Sequence, residues 1–164
     1  MKKRNIDITI DIYDESELNE TERTLVHHAI AATHNSYSPY SHFSVGACVL
    51  LDDDTMVIGA NQENAAYPVG LCAERSAIFA AQSQYPDKAI KAIAIAARDI
   101  SGQLLSKPIT PCGSCRQVIL EMEQRYNNDV RILLYGREYV YIVKTIKDLL
   151  PLSFVADDMR THQS

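Results

Sequence analysis

The chain contains no tryptophan, only three phenylalanines, and just six glycines and six prolines in 164 residues. So little glycine and proline, scattered singly, excludes a collagen-like or low-complexity chain. No apolar run approaches the roughly 18 residues of a membrane-spanning helix. Positive charge is also scarce: 16 Lys and Arg against 21 Asp and Glu leave a net charge of −5. That balance opposes a nucleic-acid partner held by a broad basic face. The start, Met1-Lys2-Lys3-Arg4, imitates the basic end of an export signal, but Asp7 and Asp11 interrupt any apolar stretch behind it. A cytoplasmic protein with no membrane partner is expected.

What is present is ordinary for a folded domain. Hydrophobic residues make up 46% and charged residues 23%, and the length suits one core rather than two. The four cysteines stand at 48, 72, 112 and 115. In a reducing compartment they serve as metal ligands, catalytic groups or core filler rather than disulfides.

Periodicity supplies the elements. Ile6, Ile8, Ile10 and Ile12 alternate with polar residues, the pattern of a half-buried strand whose apolar face needs a cover, on a sheet edge or a neighbouring subunit. Leu18, Leu25, Ala29 and Ala32 share a helix face behind an acidic first turn, and the helix should end by Asn35-Ser36. Strands are predicted over 45–51, 55–60, 89–97, 131–135 and 139–143. Helices are predicted over 71–84, 111–126 and 145–150, the second with Pro111 at its first position. The order α-β-β-α-β-α-β-β-α implies an α/β fold, a three-layer α/β/α sandwich on a five-stranded mixed sheet. One domain is expected over 18–158, with an N-terminal extension over 1–17 and a polar tail over 159–164.

Two short motifs carry the chemistry. Cys72-Ala73-Glu74 and Pro111-Cys112-Gly113-Ser114-Cys115 each open a predicted helix. Unpaired N–H groups and the positive end of the helix dipole lower a thiol's pKa there, so two helix starts can deliver three thiolates to one point. Three protein ligands with a fourth position open is the pattern of a catalytic zinc, whereas a structural zinc closes all four. The alternatives are a structural zinc completed by Cys48 and a redox Cys-x-x-Cys pair. Cys48 sits alone in an apolar strand and reads as core filler. The five histidines show no ligand-like spacing.

The combination of Cys-x-Glu with Pro-Cys-x-x-Cys resembles the zinc-dependent nucleobase and nucleoside deaminases. Further segments extend the likeness to the small homotetrameric cytidine deaminases: Tyr37-Ser38-Pro39-Tyr40-Ser41-His42-Phe43, Asn61-Gln62-Glu63-Asn64-Ala65-Ala66-Tyr67, and Leu149-Leu150-Pro151 with Phe154. The resemblance runs from about residue 18 to 158 and omits the isoleucine-alternating start. Dimeric relatives carry His where this chain has Cys72.

That resemblance implies hydrolytic deamination of cytidine and deoxycytidine to uridine and deoxyuridine with ammonia, in pyrimidine salvage. It implies one Zn2+ per chain on Cys72, Cys112 and Cys115, with Glu74 as the catalytic proton carrier. Arg75, and with less support Arg116, would hydrogen-bond the sulfurs. Phe43 and, from an adjacent subunit, Phe154 would pack on the base. Asn61 and Glu63 would hold the ribose 3′-hydroxyl, with Ala65, Tyr67 and Ala73 lining the pocket. Gln62 occupies a variable place and receives no role. The remaining rivals are a deaminase of a nucleoside analogue, a nucleic-acid-editing deaminase and a non-catalytic zinc module.

Overall fold

The computed structural model describes residues 1–160. Helix α1 (Glu20–Ala32) begins where Asn19 caps it: Asn19 Oδ1 accepts from the Glu22 N–H at 2.9 Å, and Glu22 Oε2 accepts from the Asn19 N–H at 3.2 Å. This reciprocal box satisfies two otherwise orphaned donors and fixes the helix start two residues past Leu18. Leu25, Val26, Ala29 and Ala32 then face inward.

Six strands form one sheet: β1 (Asp11–Tyr13), β2 (Ser44–Leu51), β3 (Met56–Ala60), β4 (Ile90–Arg98), β5 (Arg131–Tyr135) and β6 (Val140–Val143). Their spatial order is β1-β6-β5-β4-β2-β3, and only β4 and β5 run parallel. Helix α3 (Gly113–Tyr126) makes the crossover that parallel pair requires. The sheet has six strands rather than the predicted five because the end of the N-terminal segment joins the edge at β6.

Alternation along the buried strands divides the core in two. Cys48, Leu50, Ala92, Ala94, Leu133 and Ile142 pack under α1. Ala47, Val49, Ile93, Ile95, Ile132 and Leu134 point the other way, to α2 (Ala73–Gln84) and α3. The expected three layers follow: α1, the sheet, then α2 with α3. Gly59 in β3 sets how closely α2 lies, since a Cβ there would sit 2.3 Å from the Ala77 nitrogen.

Three of the helix expectations differ from the structure, while the strands predicted from 45 onward lie within a residue of expectation. Helix α2 starts at Ala73 rather than Leu71, and α3 at Gly113 rather than Pro111, because Cys72 and Cys112 are extended N-cap residues. Pro111 therefore precedes the cap instead of filling the first helical position. The helix expected over 145–150 is a single 3-10 turn, Ile146–Asp148, capped by Thr145. Of the tail expected over 159–164, the part beyond Arg160 lies outside the described residues.

Candidate active site

The two cysteine motifs converge because both helices of one layer point their N-termini to the same spot. Cys72 is the N-cap of α2, Cys112 the N-cap of α3, and Cys115 lies in the first turn of α3. Neither cap sulfur bonds a backbone N–H of its own helix, which leaves both free to serve another centre. Cys72 Sγ lies 3.9 Å from Cys112 Sγ, and Cys112 Sγ 3.4 Å from Cys115 Sγ. All three sulfurs fall within 4.8 Å of one another. Thiolates on a tetrahedral zinc, each about 2.3 Å from the metal, stand about 3.8 Å apart. The three sulfurs fit that metal.

Cys48 is not part of the cluster. It lies under α1 on the opposite side of the sheet, and burial pushes its thiol up to about 12. That placement removes the fourth ligand on which a structural zinc depended. Among the described residues no histidine joins the metal-ligating group.

Electrostatics at the cluster separate the thiols. The hydrogen bond from Cys115, then contacts from Arg75 and Cys112, pull the Cys72 thiol down to about 5 against the opposing effect of burial. The same hydrogen bond to Cys72, followed by burial, raises the Cys115 thiol above its ordinary range. Arg75 donates through Nη2 to Cys72 Sγ at 3.7 Å. Its Nε is buried without a protein partner among the described residues.

Glu74, at the second position of α2, is 5% exposed. Burial raises its carboxyl above the usual range, as does the Cys72 thiolate, while its own N–H and the Cys115 thiol within hydrogen-bonding reach pull the other way. A buried carboxyl beside the Cys72 and Cys115 sulfurs is the chemically informative group here.

A cleft of about 580 Å³ opens from Cys72 and Arg75 between the loops at Tyr40–Ser41 and Asn61–Leu71. Asn61 ties those loops together. Its Oδ1 accepts from Ser36 Oγ at 2.6 Å and Val45 N–H at 2.8 Å, and its Nδ2 donates to Phe43 O at 2.9 Å. One amide hydrogen of this cleft-lining residue is left over by these contacts. Glu63 Oε2 accepts from the Tyr40 and Ser41 N–H groups at 2.9 and 3.2 Å. These contacts, the Ser41 side chain foremost, hold its carboxyl below the ordinary glutamate value.

The remaining residues named from sequence are spread more widely. Tyr67 lines the cleft and is 74% exposed, Ala73 is fully buried behind Cys72, and Ala65 is exposed. Phe43 is half-buried at the start of β2, where Asn61 fixes its backbone. Phe154 is 60% exposed between the Ile146–Asp148 turn and the 3-10 turn Ala156–Met159. Arg116 lies elsewhere than its sequence role suggested: Nε donates to Pro111 O at 2.8 Å, Nη1 to Leu149 O at 2.7 Å and Nη2 to Thr110 Oγ1 at 3.3 Å. It braces the backbone before Cys112 instead of bonding a sulfur, because its guanidinium is drawn to two carbonyls.

Sequence reasoning passed over Tyr40 and Gln62. Tyr40 meets Tyr67 edge to face, with centroids 5.9 Å apart, across the cleft wall. Gln62 exchanges both of its backbone hydrogen bonds with Leu71, while its neighbours Asn61 and Glu63 bond Tyr37, and its Nε2 donates to Asn35 O at 3.1 Å. The repeat of tyrosine across the two loop motifs was the only available hint of the first.

Residues 19–127 match the model of the cytidine and deoxycytidylate deaminase zinc-binding region. Cytidine deaminase of Halalkalibacterium halodurans is 38% identical over 135 residues, 82% of this chain and 95% of that protein. Cytidine deaminase of Mycobacterium tuberculosis is 36% identical over 131 residues, 80% of this chain and 87% of that one. The crystal structure of cytidine deaminase from Burkholderia pseudomallei superposes with a TM-score of 0.69 at 34% identity, over 80% of this chain and 97% of that chain. Matched along most of its length in both sequence and fold, with three thiols placed to hold Zn2+, the chain belongs to the cytidine and deoxycytidylate deaminase zinc-binding family.

Proposed function

We propose that the chain hydrolyses cytidine and deoxycytidine to uridine and deoxyuridine, releasing ammonia. Glu74 supports this most: it is buried beside the Cys72 and Cys115 sulfurs in the first turn of α2, the helix whose cap residue Cys72 lines a nucleoside-sized cleft. Zinc on Cys72, Cys112 and Cys115 would supply the Lewis acidity that makes water nucleophilic near neutral pH. Glu74 takes the proton from the attacking water, gives it to N3 of the pyrimidine, and later passes a proton to the departing amine. One carboxyl acts as base and acid in turn. Its seclusion from solvent keeps the proton between enzyme and substrate.

Arg75 offsets the negative charge of three thiolates by its bond to Cys72. Glu63 and the free amide hydrogen of Asn61 would hold the ribose 3′-hydroxyl, and Phe43 and Tyr67 would flank the nucleoside. Ala65 and the Ala73 backbone complete the pocket wall.

The same reading makes the working unit a homotetramer with shared sites. Phe154 is exposed rather than packed in its own core, which favours a contact to a pyrimidine bound by another copy. The acidic cleft residue Glu63 and the low pI favour free nucleosides over nucleic acid. Among the described residues no helix is long and apolar enough to cross a membrane. A reducing cytoplasm and pyrimidine salvage suit four free thiols and a nucleoside substrate. Incubating zinc-loaded protein with cytidine, deoxycytidine, cytosine and CMP, and following absorbance, tests the assignment. Turnover of the two nucleosides, with cytosine and CMP inert, is the expected pattern.

A further inference from the structure

We propose that the amino-terminal arm joins two copies of this chain: residues 6–12 of each pair antiparallel about Thr9 and link the two sheets edge to edge. The segment Ile6-Asp7-Ile8-Thr9-Ile10-Asp11-Ile12 reads the same in both directions. Its last residues already lie in β1, the outermost strand, which pairs with β6 on one side only among the described residues. Continuing the β1–β6 register places Thr9 opposite Lys144, beyond the end of β6 at Val143. The chain's own sheet therefore offers residues 6–9 no partner. Ile6, Ile8, Ile10 and Ile12 remain 46%, 45%, 41% and 63% exposed, although their alternation is that of a strand with one covered face.

A palindromic strand meets its own copy with like opposite like. Centred on Thr9, Ile6 faces Ile12 and Ile8 faces Ile10, so all eight isoleucines mate on one face as β-branched cross-strand pairs. Slipping by two residues sets Ile12 against Arg4 or Ile6 against Asp14, and slipping by one turns isoleucine onto aspartate. The Thr9-centred register alone mates every isoleucine. It also brings Arg4 across from the exposed Asp14. The contact is isologous and closes after two copies. Asp7 opposite Asp11 opposes it, since like charges directly across a ladder repel. Seven paired residues make a small contact, so this linkage is separable from association through other surfaces.

Cysteine cross-linking of the zinc-loaded full chain tests the register. Residues directly opposed in an antiparallel ladder have Cα atoms about 5 Å apart, within disulfide range. Thr9→Cys is expected to give, under mild oxidation, at least about tenfold more covalent dimer than Asp7→Cys or Asp11→Cys alone, whose like positions lie about 13 Å apart. Mixing Asp7→Cys with Asp11→Cys should restore the dimer. Equal cross-linking at all three positions marks a freely colliding arm and overturns the proposal. So does a Thr9→Cys protein that yields no more dimer than the Asp7→Cys protein, the result for an arm lying on a neighbour's body. Neither readout involves catalysis, so failure leaves the deaminase assignment untouched.

Discussion

The guanidinium of Arg75 donates through Nη2 to the sulfur of Cys72 at 3.7 Å, one helical turn along α2 from that cap residue. The bond ties a positive charge to a centre where, with zinc bound, three thiolates would outweigh the divalent metal. Removing it leaves the sulfurs in place but makes the centre more anionic and the water a weaker acid. Arg75→Gln is expected to lower kcat by about tenfold while keeping one zinc per chain, by the usual cost of losing such a partner. Metal analysis beside steady-state kinetics checks it. Unchanged kcat returns Arg75 to the role of an ordinary charged residue.

Glu63 offers a pH-dependent observation away from the metal. Its carboxylate is held below the ordinary glutamate range by the Ser41 side chain, the Tyr40 N–H and the Ser41 N–H. A carboxyl depressed in the folded state contributes stability that is present above its unfolded pKa and is lost as pH falls through the folded one. The Tyr40–Ser41 loop should therefore stay pinned at neutral pH and release only in acid, below the normal glutamate midpoint. Amide chemical shifts of Tyr40 and Ser41 across an acid titration report this. In Glu63→Gln the titration at both amides should vanish.

Cys48 is predicted to be dispensable for metal. Cys48→Ala should retain one zinc per chain and cost about 1 kcal/mol in urea unfolding, a typical value for a small buried truncation. Loss of stoichiometric zinc from this variant contradicts a three-sulfur centre.

Gln117 Nε2 donates to Phe154 O at 2.8 Å, so α3, two residues after Cys115, holds the backbone of the exposed phenylalanine. If Phe154 reaches a second copy's substrate, Glu74→Gln and Phe154→Ala proteins, each crippled, should complement when co-assembled. Verified mixed oligomers should exceed the summed activity of the two pure variants. Absence of any gain in such oligomers places Phe154 in its own chain's site.

Much of this was legible in the residues because the signals were local. Cys72 and Cys112 mark helix starts through the Pro and Gly around them and the apolar periods behind them, and both helices formed within two residues of expectation. The three layers followed from alternation that splits Ala47 and Val49 from Cys48 and Leu50. What was hidden depends on distant partners. Arg116 follows Cys115 in sequence, yet it faces Leu149, whose position only the folded C-terminal segment determines. Asn61 read as a ribose contact, and nothing in the sequence signals that its oxygen is taken by Ser36 Oγ and by the Val45 N–H of β2, which leaves only its amide group for that contact. The isoleucine arm announced a strand over residues 6–12, of which only Asp11 and Ile12 lie in β1, because before Ile10 the register runs off the end of β6.

Substituting Glu74 separates proton transfer from metal binding. Zinc-loaded Glu74→Gln keeps the three sulfurs and the shape of the side chain while removing the carboxyl proposed to take up and return the proton. With cytidine as substrate it is expected to hold one zinc per chain and lose at least ~10²-fold in kcat, the contribution ordinarily made by a positioned general acid–base. Turnover near the wild-type rate at full zinc occupancy would contradict that role for Glu74.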